Sequence, residues 1–209
     1  MRFYGQWDPP VDKFLYENYF SDTENGFFIE CGAFDGLTEC CCKFFEEFKG
    51  WTGINIEPVP QTYEKLCKNR PNSTNIKGAL SNVAKTAKFS QAIHPSMGNH
   101  FGNGSLTHSE HHKNLLKREG CTFEEFEVET FTYKQLIERN NITKVDLFVL
   151  DVEGHESNVL EGMVGCNVLP KIFCIEHGHV KQQMYKKVQS LGYKFDKTSF
   201  NNSFFIRKD

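Results

Sequence analysis

The chain has 209 residues, with 24 basic against 27 acidic side chains and a net charge of −3, so no basic field exists to hold a nucleic acid by counterion release. Apolar residues make up 39% of it and phenylalanine alone fills 20 positions, which excludes a disordered or low-complexity chain. A chain this long buries roughly 70% of its unfolded surface, so one domain over 1–209 is expected to fold without a disulfide or metal staple.

The apolar runs fall far short of the ~20 residues that span a bilayer, so no membrane span is expected. The opening MRFYGQWDPP has no apolar signal core, and the expected location is cytoplasmic. Eight cysteines agree with a reducing compartment, because no pair shows C-x-x-C spacing. Cys40, Cys41 and Cys42 are read as small apolar residues on a partly buried helix, where neighbouring side chains diverge and cannot converge on one ion. The sequence leaves a homo-oligomer open.

In chain order, VDKFLYENYF (11–20) is a short helix and FFIECGA (27–33) a buried strand bounded by glycine. TECCCKFFEEF (38–48) places Phe44, Phe45 and Phe48 at helical spacing. WTGINIE (51–57) is the second strand, with Pro58 and Pro60 opening the helix of 60–70. NIKGALS (75–81) is a third strand and AKFSQAI (87–93) a further β-prone piece. The stretch 94–120, rich in Gly, Asn, Ser and His, reads as an acceptor-binding loop or lid. FEVETFTYKQLIERNN (126–141) supplies a strand and a helix. VDLFVLD (145–151) and KIFCIEH (171–177) are strands four and five, followed by helices over 154–164 and 180–192. Two segments, 193–200 and 202–208, close the chain as an antiparallel hairpin. Such alternation predicts an α/β doubly wound fold with helices on both faces. A mostly parallel seven-stranded sheet ending in an antiparallel hairpin resembles the Rossmann-like class I methyltransferases.

Ligands of open α/β sheets bind beyond the carboxyl ends of the strands, where strand order reverses. At the end of strand one stand Glu30, Cys31, Gly32, Ala33, Phe34, Asp35 and Gly36. Gly32 and Gly36 let the backbone turn and approach a ligand. The loop lacks the glycines of a pyrophosphate binder, and Glu30 and Asp35 would repel a diphosphate while welcoming the ammonium and sulfonium of S-adenosylmethionine. Glu57, ending strand two, is placed to accept from both ribose hydroxyls, its other reading being a carboxylate at a helix N-terminus. After strand three, Ala79, Leu80 and Ser81 are placed by topology to cover the adenine.

These strings resemble a family. ECGAFDG, then GWTGINIEPVPQTYEKL (50–66), then KVDLFVLDVEGHESNVLEGM (144–163) are similar to the FkbM family of S-adenosylmethionine-dependent methyltransferases, with its G-A-x-D-G loop, I-E-P strand end and D-x-E-G-x-E turn. The opening YGQWD (4–8) is similar to the family's N-terminal segment. Ala33 and Pro58 join the cofactor residues through those motifs. Phe34 departs from the pattern, where the family often has Asn, as does the Cys triplet, where it often has small polar residues. The resemblance implies O-methylation of a sugar hydroxyl on a glycan or glycosylated metabolite, as in enzymes of bacterial surface polysaccharides. It extends to enzymes of large algal viruses, whose acceptors include rhamnose and which would act in the host cytoplasm.

A sugar hydroxyl is a weak acid, so transfer needs a general base or a cation that stabilises the alkoxide. Asp151 ends strand four, with Glu153, His155 and Glu156 behind it; Glu176, His177 and His179 end strand five. Carboxylates at adjacent parallel strand ends, ~4.8 Å apart, can share Mg²⁺ or Mn²⁺. Asp151 and Glu176, with Glu153 beside them, are expected to hold that ion or the acceptor hydroxyl, and His155 or His177 to take the proton. A metal-free reading, with Asp151 orienting a histidine base, stays open. In the loop, Asn99, Asn103, Ser105 and the imidazoles of His94, His100, His108, His111 and His112 would meet a sugar, while Gly98, Gly102 and Gly104 would let it close. The rivals are a non-sugar small-molecule acceptor, an amine or nucleic-acid methyltransferase, and a non-catalytic S-adenosylmethionine or nucleotide binder. DVEG stands where exocyclic-amine enzymes carry Asn/Asp-Pro-Pro-aromatic, against the amine reading.

Overall fold

The apolar runs become the middle of one sheet because their alternate side chains find cover on both faces. The computed structural model describes residues 1–98, 102–176 and 181–208. In chain order the first half holds α1 (Val11–Leu15), a π-helical turn (Tyr16–Phe20), β1 (Phe27–Cys31), α2 (Lys43–Phe48), β2 (Thr52–Glu57) and α3 (Pro60–Asn69). Then come β3 (Thr74–Lys77), β4 (Ala79–Leu80), β5 (Lys85–Ile93), β6 (Gly104–Ser105), α4 (Glu110–Arg118) and β7 (Thr122–Phe131). The chain ends with α5 (Tyr133–Arg139), β8 (Leu147–Leu150), α6 (Glu156–Glu161), β9 (Ile172–Glu176), α7 (Lys181–Ser190), β10 (Tyr193–Ser199) and β11 (Asn202–Arg207).

Seven strands lie in the order β10-β11-β9-β8-β1-β2-β3. The pairings among β3, β2, β1, β8 and β9 are parallel, and β11 runs antiparallel to both β9 and β10. The class I methyltransferase architecture and its closing hairpin are therefore present. Strand periodicity divides the core. Phe28, Leu147, Val149, Ile172 and Cys174 face Val11, Leu15, Phe44, Phe45 and Trp51 on one side. Ile29, Ile54, Phe148, Leu150 and Ile175 face Leu136, Val159, Leu160 and Met184 on the other. Among the described residues, no helix is long and apolar enough to cross a membrane.

Three local expectations change. Cys40–Cys42 are buried, yet they precede α2 rather than lie on it. Glu39 bridges to Gly5 of the N-terminal segment, which draws the chain out of helical geometry there. The single strand expected over 75–81 splits at Gly78, with β3 in the large sheet and β4 in a second sheet ordered β4-β7-β5-β6. The segment 94–120 is the excursion between β5 and β7, which pair antiparallel from Lys85↔Thr130 to Ile93↔Thr122. It contains β6 and α4, so it is not one irregular loop.

Candidate functional site

Loops beyond the carboxyl ends of β1, β2, β8 and β9 enclose a cavity of about 360 Å³. One end belongs to the glycine loop. Gly32 and Ala33 donate their N–H groups to the Ile56 carbonyl, each at 3.1 Å, welding the loop to β2. Gly32 has φ +84°, and a Cβ there would fall 1.8 Å from the Asp151 carbonyl oxygen, so only glycine lets the β1 and β8 ends meet this closely. Phe34, at the departure from the family pattern, takes the left-handed conformation with φ 50°, the region where Asn is favoured.

Glu57 is buried; its Oε2 accepts from Phe34 N at 3.0 Å and its Oε1 from Val59 N at 2.9 Å. Burial, with Asp35 adding repulsion, pushes its carboxyl up to about 8. Pro58, Val59, Ala79 and Leu80 line the same end of the cavity. Glu57 is thus fixed beside the cavity with lone pairs left over for hydroxyl donors.

The acids expected to meet a cation at the loop do other work. Glu30 lines the cavity, but its Oε1 accepts from Cys41 N at 2.7 Å, Cys40 Sγ donates to its Oε2 at 3.1 Å, and Arg70 Nη1 lies 3.4 Å away. Arg70 is fully buried and also pairs with Glu46 at 2.6 Å. Glu30 therefore holds the Cys40–Cys41 turn with its charge already balanced. Asp35 lies off the cavity wall; its oxygens accept from Leu37 N, Thr38 N and Thr38 Oγ1 at 2.9, 2.7 and 2.9 Å, which closes the loop on itself. Gly36 is off the wall too, packed against Leu66 and Arg70.

The other end gathers carboxylates. Ligand atoms of Asp151, Glu153 and Glu176 lie within 4.8 Å of one another, as the adjacency of β8 and β9 leads one to expect. Asp151 stands at the cavity floor, open to cavity solvent but hemmed in by protein. Burial and the neighbouring Glu176 hold its carboxyl well above the usual range. Burial followed by Asp151 does the same to Glu153, and burial pushes Glu176 up to about 7. Asp151 and Glu176 are hydrogen-bonded to each other, sharing a proton that one carboxyl holds and the other accepts. Glu156 instead turns back on its own loop, accepting from Gly154 N at 3.0 Å.

His155, expected as a base, lines the cavity but has both ring nitrogens engaged. Its Nε2 lies 3.0 Å from Ser81 Oγ and its Nδ1 2.9 Å from Thr107 Oγ1. Burial lowers it to about 4, so the ring is neutral and its one acceptor nitrogen is already taken. Ser81 is buried behind His155 and, unlike His155, Ala79 and Leu80, does not line the cavity. His177 and His179 lie outside the described residues, as do Asn99 and His100.

The excursion between β5 and β7 closes the cavity through Met97, Gly102, Asn103, Gly104 and Leu106. Ser105 Oγ, which was expected to meet the acceptor, donates to the Val152 carbonyl at 3.2 Å, tying the excursion to the Asp151 turn. His108 is buried against the ring of His112, and burial lowers it to about 4; His112 Nδ1 comes within 4.0 Å of Glu153 Oε2. Wall residues to which sequence reasoning gave no role include Gln6, Glu39, Thr62 and Gln91. The Asp12 carboxylate fastens the Gln6 segment by accepting from Tyr4 N at 2.7 Å and Gly5 N at 3.1 Å, and Gly5 bridges to Glu39. The YGQWD string was the available signal.

A model of the methyltransferase FkbM domain matches residues 30–195. No curated protein matches the chain. Among solved structures, fibrillarin from Aeropyrum pernix, in complex with natively bound S-adenosyl-L-methionine, gives a TM-score of 0.50 at 11% identity, covering 95% of this chain and 73% of that one. The putative methyltransferase yhhF from Escherichia coli gives 0.50 at 9% identity, covering 98% and 87%. The METTL16 MTase domain gives 0.51 at 6% identity, covering 95% and 66%. At these identities the likeness is one of fold.

Proposed function

We propose, from the premise that the chain belongs to the FkbM methyltransferase family, that it carries the methyl group of S-adenosylmethionine to a sugar hydroxyl. The observation that carries this reading is the pairing of a buried ribose-type acid, Glu57, with the carboxylate trio Asp151, Glu153 and Glu176 across one cavity. The donor reading draws further support from the fold neighbour that holds S-adenosyl-L-methionine.

Methyl transfer is an in-line displacement. The acceptor oxygen forms the new C–O bond, the S–CH₃ bond breaks, and the sulfonium becomes the neutral thioether of S-adenosylhomocysteine. The hydroxyl proton passes to the Asp151–Glu176 pair, where burial and the crowding of neighbouring carboxylates raise both carboxyls and so favour taking up a proton. Glu153 sits beside the pair, and Gly32 and His155 keep the turn in place.

A hard cation would fit the same three side chains, since carboxylates crowded this closely hold protons that a divalent charge would displace. Asp151, Glu153 and Glu176 would hold Mg²⁺ or Mn²⁺, which when bound supplies stabilisation of the developing alkoxide.

The test is methyl release from S-adenosylmethionine with a panel of pyranosides and non-sugar hydroxyl acceptors, with and without EDTA. Transfer to pyranosides is expected. Transfer to non-sugar hydroxyls alone would replace the sugar reading, and donor binding with no transfer to any acceptor would leave a non-catalytic binder.

A further inference from the structure

Two exposed aromatic rings lie against each other at the meeting of the N-terminal segment and the β10–β11 turn. Trp7 and Phe200 stack with centroids 5.1 Å apart and an interplanar angle of 10°, yet 39% of Trp7 and 49% of Phe200 stays exposed. Trp7 is the residue after Gln6, which lines the cavity. Phe200 sits in the β10–β11 turn, two residues before Asn202, and Asn202 pairs directly with Glu176. Neither ring is itself a wall residue, but the stack adjoins the wall through Gln6 on one side and through the Asn202–Glu176 pairing on the other.

Both residues adopt the left-handed backbone, with φ 78° at Trp7 and φ 50° at Phe200. For bulky side chains this conformation is strained and persists only where the surroundings enforce it. Here the enforcement is visible. Asp12 holds the N-terminal segment through Tyr4 N and Gly5 N, and Gly5 bridges to Glu39. The six-residue β11 fixes the turn from the other side. The positive φ at Phe200 suits the first residue of a two-residue hairpin loop, and the two anchored turns hold both rings at the surface, where burial would be the favoured outcome for large apolar groups.

We propose that Trp7 and Phe200 form the acceptor platform of the methyltransferase, on which the apolar C–H face of a pyranose ring packs while its hydroxyls reach Gln6 and the carboxylates. This deepens the sugar-hydroxyl reading and rests on it. The chemistry of the rim matches a pyranose on both counts. Its polar members are Gln6, Glu39, Glu153 and Glu176, which accept from hydroxyls. Its apolar member is the outward face of the Trp7–Phe200 stack, each ring bracing the other, which orders a sugar ring at little entropic cost. Trp7 and Phe200 are positioning residues: they set how long and in what pose the hydroxyl waits over the cavity floor.

The molecule offers a direct probe, because it has two tryptophans and the other, Trp51, is only 2% exposed. Methyl pyranosides are titrated into the S-adenosylhomocysteine-bound protein while tryptophan emission is followed. A saturable change is expected in the wild type and none in Trp7→Phe, which keeps Trp51. In steady-state assays, Trp7→Ala and Phe200→Ala should raise the pyranoside KM tenfold or more. Trp7→Phe should restore most of that loss, and kcat, donor affinity and the thermal midpoint should stay close to wild type. Pyranoside turnover with unchanged KM in both alanine variants, or with no Trp7 signal, overturns the platform alone. Absence of any pyranoside turnover in the wild type overturns the sugar reading and the platform together.

Discussion

Replacing Gly32 by alanine adds one carbon at the point where the β1 loop meets the β8 end. That Cβ would sit 1.8 Å from the Asp151 carbonyl oxygen, whereas non-bonded atoms settle at about 3.5 Å. The two segments must therefore part by about 1.7 Å, and Asp151 moves with its own backbone. A misplacement of about 1 Å at reacting groups costs about a hundredfold in rate, so turnover in Gly32→Ala should fall at least that far. The φ of +84° adds left-handed strain, roughly 1–2 kcal/mol. Gly165→Ala isolates the strain, since its φ is +75° and nothing lies within 4 Å of the new carbon. That control should lose a few degrees of thermal midpoint, at roughly 2–4 °C per kcal/mol for a chain of this size, and keep full turnover. The assay is methyl release below the midpoint of each variant. If Gly32→Ala works within threefold of the wild type while folded, the weld does not position the carboxylates.

His155→Ala should lower stability by roughly 1–3 kcal/mol, because the buried Ser81 hydroxyl loses its partner while the exposed Thr107 hydroxyl can turn to water. The pH profile of its residual turnover should keep its shape; loss of one limb with unchanged stability would restore His155 as the base. Asp151→Asn should abolish turnover while sparing donor affinity measured by calorimetry, and wild-type turnover would remove Asp151 from the mechanism. Glu57 at about 8 is mostly protonated at pH 7, and ribose hydroxyls favour its ionised form. Donor binding should then release protons at pH 7, read as a dependence of binding heat on buffer ionisation, and affinity should rise towards pH 8. Binding heats independent of buffer would exclude Glu57. Burial raises Asp12 to about 6, Glu176 to about 7 and Glu57 to about 8. Groups that hold protons more tightly when folded contribute stability that fades as pH rises through those values. The buried neutral His108 and His155, lowered to about 4, act oppositely, but their gain is nearly complete by the ordinary value of 6.5. The ligand-free thermal midpoint should therefore be lower at pH 8 than at pH 6, and the reverse order would refute these assignments.

Much of this was legible where one local pattern decided the outcome. Phe28 with Ile29, and Leu147 through Leu150, are apolar on successive residues because both faces of their strands are covered. An acid ending such a strand must face the cleft, which is why Asp151, Glu176 and Glu57 could be placed from their positions alone. Partnerships across the chain left no such trace. Glu30 is balanced by an arginine 40 residues on, and His155 is held by hydroxyls 74 and 48 residues away. Helical phenylalanine spacing extended the helix over Cys40–Cys42, but the bridge from Gly5 to Glu39, which no local propensity encodes, bends the chain there. Asp35 looked free because its partners, Leu37 and Thr38, are its own neighbours.

The excursion over 94–121 leaves and rejoins the smaller sheet at a single facing pair, Ile93 and Thr122. Its endpoints are clamped whatever its length, and doubling a flexible connection costs only about 0.6 kcal/mol of closure entropy. The seven-stranded scaffold can therefore keep its register when the segment changes length, but the part carrying β6 is braced inside as well, by its pairing with β5 and by the Ser105 bond to Val152, so a change there reaches the cavity wall while one in α4 is more readily absorbed.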